Sequence, residues 1–275
     1  MRRRFHKAIA SVVCSAAMAL AGTQAASASV LELALAIDGS GSIGSTDYAS
    51  QLTAYHDLFT SGTFYDDYVA PSPFDTLAVR VFTFGTDVDA IGSGWTGIHS
   101  NADATAFGNT FTVGNMPYDG GWTNTEGVIL DATASILSND YAGSKLVIDI
   151  STDGVPTICD GGTSSSSTNC GVGETPVSAA IAAANAARTD GIIINAIGIG
   201  SGISDSFLNA LVGINPADDP MGFYVRTPDF DEFQGALAGK LGREITGVPE
   251  PAPLLMLAAG LLLLVAVRRR SEIRI

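Results

Sequence analysis

Histidine, cysteine and basic side chains are scarce in this 275-residue chain, and each shortage removes a class of function. Of three histidines, only His56 and His99 lie outside the N-terminal segment, and neither has ligand spacing to a cysteine. A Cys/His zinc site is thereby disfavoured. Of three cysteines, Cys14 falls in the first apolar stretch, leaving Cys159 and Cys170 in "ICDGGTSSSSTNC". Eight of the 14 Lys and Arg sit in the terminal segments, so six remain in the body. Only Glu250 and Glu272 of the 28 acidic residues lie there, which leaves the body with 26 acids and a net charge of −20. Nucleic acid is disfavoured as a partner, because affinity for phosphate backbones needs clustered Lys and Arg. Acidity of this degree suits solubility outside the cell and attraction of divalent cations.

The ends of the chain carry addresses. Arg2, Arg3, Arg4 and Lys7 precede an apolar, Ala-rich run over residues 8–21, and Ala26-Ser27-Ala28 is a small-residue cleavage site. This reads as a signal peptide over residues 1–28, with an uncleaved anchor helix as the alternative. At the other end Val248-Pro249-Glu250-Pro251 leads into 16 uncharged, Leu-rich residues, 252–267, and then Arg268-Arg269-Arg270. The run is short for a permanent span, which needs about 20 residues. Its arginines would stay cytoplasmic, with everything before them outside. The order of V-P-E-P, short apolar helix and arginine cluster resembles the PEP-CTERM sorting tail of Gram-negative bacteria. That resemblance implies export through the inner membrane and removal of residues 248–275 by an exosortase. A plain C-terminal anchor is the alternative, and the membrane would be touched only through this tail in either case. With two cysteines in an oxidising compartment, Cys159 and Cys170 are expected to form a disulfide.

The body, residues 29–247, has the length of one domain. Buried-strand signals recur at residues 31–37, 77–84, 146–151 and 192–199, with a weaker one at 223–226. Helix-like stretches lie between them at 46–59, 124–137 and 177–188, the last being Ala-rich. Phe230, Phe233, Leu237 and Leu241 form a final apolar face at spacings of three and four. Apolar strands alternating with helices predict an α/β fold, doubly wound, with a mostly parallel sheet flanked by helices. Residues 86–121 are polar and Gly-rich and read as irregular, and no internal repeat is present.

The first strand ends in "LALAIDGSGSIGSTDY", which admits two opposite readings. As G-x-G-x-x-G it would cradle a dinucleotide. Asp38 would then stand where pyrophosphate must bind, no Lys or Arg lies nearby, and the acidic ribose-binding residue is missing at the end of the second strand. As a calcium EF-hand it fails too, because Ile43 and Ala49 occupy the sixth and twelfth positions, where Gly and an acid are needed. As D-x-S-x-S it offers Asp38, Ser40 and Ser42 as hard oxygen ligands. Two later strand-end loops add to them: Gly120-Gly121-Trp122-Thr123-Asn124-Thr125 and Ser151-Thr152-Asp153-Gly154. In a parallel α/β sheet these loops converge at the carboxyl edge. Two carboxylates and three hydroxyls form a set suited to Mg²⁺, with Mn²⁺ or Ca²⁺ as alternatives.

The ordered motifs D-x-S-x-S, G-G-x-T-N-T and T-D-G resemble the von Willebrand factor A domain with its metal-ion-dependent adhesion site. The resemblance spans about residues 30–245. "GWTGIHSNADATAF" followed by "GGWTNTEGVILDA" is similar to a secreted bacterial subgroup of that fold. It implies Asp38, Ser40, Ser42, Thr123 and Asp153 as metal ligands and an acidic group of a partner completing the shell. Two departures stand out: Trp122, expected to wall one side of the site, and the Cys159 to Cys170 loop following Asp153. That loop is expected on the metal-bearing face, either as a recognition element or as a pinned surface insertion.

The function expected is an exported, metal-dependent module for adhesion to a protein or an extracellular matrix, and no enzyme. A metal-assisted hydrolase is one alternative, though no base is evident. A passive matrix component whose ion only stabilises the fold is another. A Ser-His-Asp hydrolase is poorer, because neither Ser40 nor Ser42 sits in G-x-S-x-G.

Overall fold

The computed structural model describes residues 29–162, 170–214 and 220–247. The expected signal peptide and sorting tail lie outside the described residues. Among the described residues no helix is long and apolar enough to cross a membrane.

A seven-stranded sheet forms the middle layer. Its strands are β1 (Val30–Asp38), β2 (Thr76–Phe84), β3 (Val88–Ala90), β4 (Thr96–Ile98), β5 (Lys145–Thr152), β6 (Ile192–Ile199) and β7 (Tyr224–Thr227). The spatial order is β3-β2-β1-β5-β6-β7. The strands from β2 to β7 in that order are parallel. Both β3 and β4 run antiparallel along the outer edge of β2, against residues 82–84 and 77–79 respectively.

Alternation along the central strand assigns the two helical layers. Leu31, Leu33, Leu35 and Ile37 of β1 face α1 (Gly44–Phe59), α2 (Asn101–Gly108) and α6 (Phe233–Thr246). Ala34 and Ala36 face α3 (Thr125–Ser138), α4 (Pro176–Thr189) and α5 (Asp205–Val212). Small residues on that side let α3 approach the sheet, and both faces are dry, as a parallel sheet requires. Local chemistry starts the helices. Pro176 follows a reciprocal Thr175–Ser178 capping box at α4, and Asn124 accepts from Gly127 N at 2.9 Å at α3.

The stretch read as irregular holds β3, β4 and α2, while a single π-helical turn, Tyr65–Val69, and α5 also escaped notice. Strands of three residues show no alternation to read. The start of α2 did carry a signal, since Ser100 caps it by accepting from Asp103 N. Phe230 packs against the core but precedes the last helix.

A charged triad is fully enclosed. Lys240 and Glu244 of α6 lie against Asp149 of β5 and Asn195 of β6. Lys240 Nζ pairs with Asp149 Oδ1 and, at 2.5 Å, with Glu244 Oε1, all three side chains having no exposure.

Candidate metal centre

The register of the sheet places the centre. Asp38 is the last residue of β1, between Phe84 on β2 and the end of β5, where Ile37 is level with Ser151. Past that edge the loops zip together: Gly39 N donates to Phe84 O at 2.7 Å, Gly41 N to Gly121 O at 2.8 Å, and Gly120 N to Gly39 O at 2.9 Å. A Cβ on Gly41 would stand 2.8 Å from Gly120 O, so only glycine permits this approach. The contact carries Thr123 across to Ser40.

All five residues expected as ligands are brought together in one hydrogen-bonded cluster. Ser42 Oγ donates to Asp153 Oδ1 at 2.7 Å, the Ser40 and Ser42 hydroxyls are 3.2 Å apart, and Thr123 Oγ1 donates to Ser40 Oγ at 3.1 Å. Asp38 Oδ1 accepts from Ser40 N at 2.8 Å. Asp38 and Ser40 are wholly buried and Thr123 nearly so, whereas Ser42 is exposed and Asp153 half-buried. The cluster therefore has a buried floor and an open mouth.

Burial pushes the Asp38 carboxyl up to about 6, against the opposing pull of hydrogen bonds from Thr152 and Ser40, and Asp153 adds a smaller upward push. Asp153 is also raised, again chiefly by burial. Neither carboxylate forms an ion pair with a cationic side chain among the described residues. Two carboxylates and three hydroxyls without a counter-charge make a donor set that fits a hard divalent cation. Among the described residues no group of three or more His, Cys, Asp or Glu is arranged to hold a metal ion. Only two ligands of such an ion would be charged, so an outside anion would add substantially to its hold.

Three supporting residues were not anticipated. Thr152 Oγ1 donates to Asp38 Oδ2 at 2.5 Å, and it was readable beside Asp153 in S-T-D-G. Gln51 donates to the Asp38 carbonyl at 2.9 Å and accepts from Ser151 Oγ at 2.8 Å. Tyr118 donates to Ser40 O at 3.3 Å. Nothing in the local sequence distinguishes Gln51 or Tyr118, which reach the loop only through tertiary folding.

A cleft of about 450 Å³ opens beside the cluster, with Ser42, Thr123 and Asp153 at one side and Val155, Ile199 and Phe230 among its apolar lining. Trp122 does not line this cleft; it is partly exposed and its backbone N donates to Thr86 Oγ1 at 3.0 Å. Cys159 and Cys170 are disulfide-bonded. The segment leading to Cys159 is laid against the Thr123 loop, with Thr157 N on Thr123 O at 3.0 Å and Thr123 N on Thr157 Oγ1 at 2.8 Å. Asp160 N donates to Glu126 Oε2 at 2.8 Å, so the base of the loop stands at the edge that carries the cluster. Residues 163–169 lie outside the described residues.

A family model described as protein of unknown function (DUF1194) matches residues 28–249. No curated protein matches the chain. Among solved structures, the pilus adhesin SpaC from Lactobacillus rhamnosus GG is 14% identical with TM-score 0.56, covering 80% of this chain and 31% of its own. Proximal thread matrix protein 1 from the mussel byssus, in a structure described as having a zinc-occupied MIDAS motif, is 19% identical with TM-score 0.52. It covers 78% of this chain and 46% of its own. The vWF domain of the type V pili tip protein Mfa5 from Porphyromonas gingivalis is 13% identical with TM-score 0.52, covering 80% and 97%. The chain thus spans about a third of the pilus adhesin and just under half of the byssus protein. At these identities the likeness concerns the fold, which is that of a von Willebrand factor A domain.

Proposed function

We propose, from the premise that this chain belongs to the DUF1194 family, that its body is an exported binding module whose metal centre grips an acidic group of a protein or matrix partner. The observation that carries this is the hydrogen-bonded set of Asp38, Ser40, Ser42, Thr123 and Asp153 beside an open cleft, with no cationic counter-charge among the described residues. These residues would hold Mg²⁺ or a similar divalent ion, which when bound supplies a positive centre for an incoming carboxylate. Asp38 and Ser40 form the floor, and Thr152 and Gln51 orient Asp38. Ser42 and Asp153, at the mouth, face the partner.

Binding is favoured over metal-assisted hydrolysis by the position of the histidines. His56 lies 12 residues beyond the start of α1, about 18 Å along the helix from the site, and its Nδ1 is 3.0 Å from Asp57 Oδ1. His99 follows β4, which pairs with the early half of β2 at the far end of the sheet. Neither is placed to activate water at the cluster.

The ends of the body agree with outward display. Ser144 N donates to Val30 O at 2.8 Å and Lys145 Nζ to Glu244 O at 2.7 Å, so β1 begins and α6 ends at the edge opposite the metal centre. A tail departing after Gly247 would leave the metal face pointing away from the membrane. On the proposed PEP-CTERM reading, intact-mass measurement of protein from its native host should find residues 1–28 and the segment beyond V-P-E-P absent. Mature protein retaining residues 252–267 would favour a plain anchor.

The binding reading is tested by affinity capture from the producer's envelope on immobilised body, once with Mg²⁺ and once with chelator. A partner retained with Mg²⁺, released by chelator and competed by free acidic peptide is the expected result. Identical recovery in both conditions would overturn it and leave the ion a stabilising role.

A further inference from the structure

On the β6 and β7 side of the cluster the molecule continues into a surface of different chemistry. Three neighbouring strand-end loops build it: residues 153–157 after β5, 199–202 at the end of β6 and 228–230 after β7. They enclose the cleft of about 450 Å³ whose other side is Ser42, Thr123 and Asp153. Cleft and cluster meet without a gap. A Cβ on Gly202 would stand 2.6 Å from Asp153 O, and one on Gly154 would stand 3.7 Å from Ser42 Oγ. The wall of the cleft therefore lies directly on two residues of the cluster.

Where the cluster is polar, the cleft is apolar. Val155 packs against the layer of α3, α4 and α5, and Phe230 against that of α1, α2 and α6. Past the strand ends the two layers meet, so both side chains line one opening. Each is part-buried, and Pro228 beside them is exposed. Single apolar residues at a surface are ordinary, but three converging on one cleft form a contact surface.

The walls are tied down by the fold itself. Arg226 donates to Gly200 O and, at 3.0 Å, to Ile203 O, and it pairs with Asp205 Oδ1 at 2.8 Å, which fixes the loop after β6. Gly200 N donates to Thr227 O and Thr227 Oγ1 to Asp229 O, each at 2.9 Å. Asp229 Oδ1 accepts from Asp231 N at 3.0 Å and Glu232 N at 3.2 Å, closing the turn that carries Phe230. A wall already ordered spares an incoming group that cost.

Charge and shape narrow the occupant. Asp153 and Asp229 line the cleft and no Lys or Arg does, so a second acid on the ligand would find no counter-charge there. Ser42, Ser201, Gly202 and Pro228 are exposed around the mouth. A free small molecule would stay largely in water here, whereas small-ligand pockets enclose about 70–90% of their ligand. The shape suits a side chain presented by a protein. A cavity of this volume is about 8 Å across, close to the ~7 Å between side chains two apart on one side of an extended strand.

We propose that the partner is an extended protein segment with one acidic residue and a large apolar residue two positions from it. The carboxylate goes to the metal and the apolar side chain lies between Val155 and Phe230. This rests on the reading of the cluster as a metal centre that takes a carboxylate, and it adds what selects among carboxylates.

The test is fluorescence anisotropy of labelled peptides with the full chain in detergent, in Mg²⁺ and in chelator. The peptides share a Gly-Ser frame around Asp-Gly-Phe, Asp-Gly-Gly, Asn-Gly-Phe or Asp-Gly-Glu. In Mg²⁺, Asp-Gly-Phe should bind at least about tenfold more tightly than Asp-Gly-Gly, the discrimination expected for a filled apolar pocket. Asn-Gly-Phe should not bind, nor should any peptide in chelator, and Asp-Gly-Glu should be no tighter than Asp-Gly-Gly. Phe230→Ala and Val155→Thr should erase most of the preference for Phe, with Mg²⁺ affinity by calorimetry as in wild type. Thermal midpoints are measured alongside, and Val155→Thr serves if Phe230→Ala does not fold. Equal metal-dependent binding of Asp-Gly-Phe and Asp-Gly-Gly would overturn the inference and leave the metal reading standing. An undiminished preference in the folded variants would do the same. Binding of Asn-Gly-Phe as tight as that of Asp-Gly-Phe would overturn the inference by making the carboxylate dispensable. No binding of any peptide in Mg²⁺ would overturn the inference together with the metal reading.

Discussion

Asp38→Ala is expected to abolish measurable Mg²⁺ and Mn²⁺ binding to the body while leaving it folded. The substitution removes one of only two carboxylates in the cluster, and the buried one, whose oxygens organise Ser40 N and Thr152 Oγ1. Losing those acceptors costs about 1–3 kcal/mol. Relief of an unpaired, wholly buried carboxylate offsets part of that, so the metal-free variant should unfold near the wild-type midpoint. The difference appears when metal is added. At a concentration 100 times its Kd, an ion that binds only the folded state stabilises it by about 2.7 kcal/mol. That increment should be present in wild type and missing in Asp38→Ala. Asp38→Asn keeps an acceptor for Ser40 N and separates loss of charge from loss of geometry. Calorimetric titration with thermal melts decides the matter, and equal metal affinity in wild type and Asp38→Ala would remove these residues as ligands.

The largest loss of stability is expected at Lys240. With methionine in its place, Asp149 and Glu244 face each other in a dry layer, with Tyr55 and Asn195 as neighbours and Lys145 reaching only the Glu244 carbonyl. Breaking a fully buried ion pair by removing one member costs about 3–5 kcal/mol, because the remaining charges lose their counter-charge and Glu244 keeps only the bond from Asn195 Nδ2 at 2.7 Å. For a domain of this length that lowers the Tm by about 10 °C.

The deficit should depend on pH in a definite sense. Burial, and then Asp149, push the Glu244 carboxyl above its ordinary 4.5 to about 7, against the pull of Lys240. A carboxyl raised in the folded state holds its proton there longer than in the unfolded chain. Its contribution is fully present below about pH 4.5 and is lost as pH rises through about 7. Without Lys240 the rise is larger, so Lys240→Met should be impaired more at pH 8 than at pH 5. Urea unfolding at both values measures this. A deficit under about 1 kcal/mol, or one equal at both pH values, would contradict the reading of the triad.

Much of the fold was legible because it is written in local patterns. Continuous apolar runs bounded by turns announced β1, β2, β5 and β6 to within a residue or two, and the Ala-rich run after Thr175 announced α4. Asp38, Ser40 and Ser42 could be singled out because three oxygens in five residues at a strand end have few other uses. Thr123 and Asp153 followed once parallel topology was inferred, since parallel strands deliver their carboxyl ends to one edge. The short strands β3 and β4 were not legible, because three residues are too few to alternate. Trp122, expected to wall one side of the site, does not line the cleft of Val155, Ile199 and Phe230, because the direction of one side chain off a glycine-rich turn is settled by packing.

Sequence alone thus determined the alternation of strands and helices, the acidity of the body, the chemistry of the metal-centre candidates and the cysteine pair. These are properties of composition and short-range spacing. Only the tertiary structure decided which helices cover which face, that Lys240 is enclosed between Asp149 and Glu244, and that Thr152, Gln51 and Tyr118 brace the loop. It also decided that Arg80 Nε is enclosed without a hydrogen-bond partner among the described residues, in the gap between two edge strands. Thr152 reaches Asp38 across 114 positions, Tyr118 reaches Ser40 across 78, and Gln51 ties Asp38, 13 positions away, to Ser151, 100 positions away. Such distances are bridged by sheet register and helix packing, which no local pattern encodes.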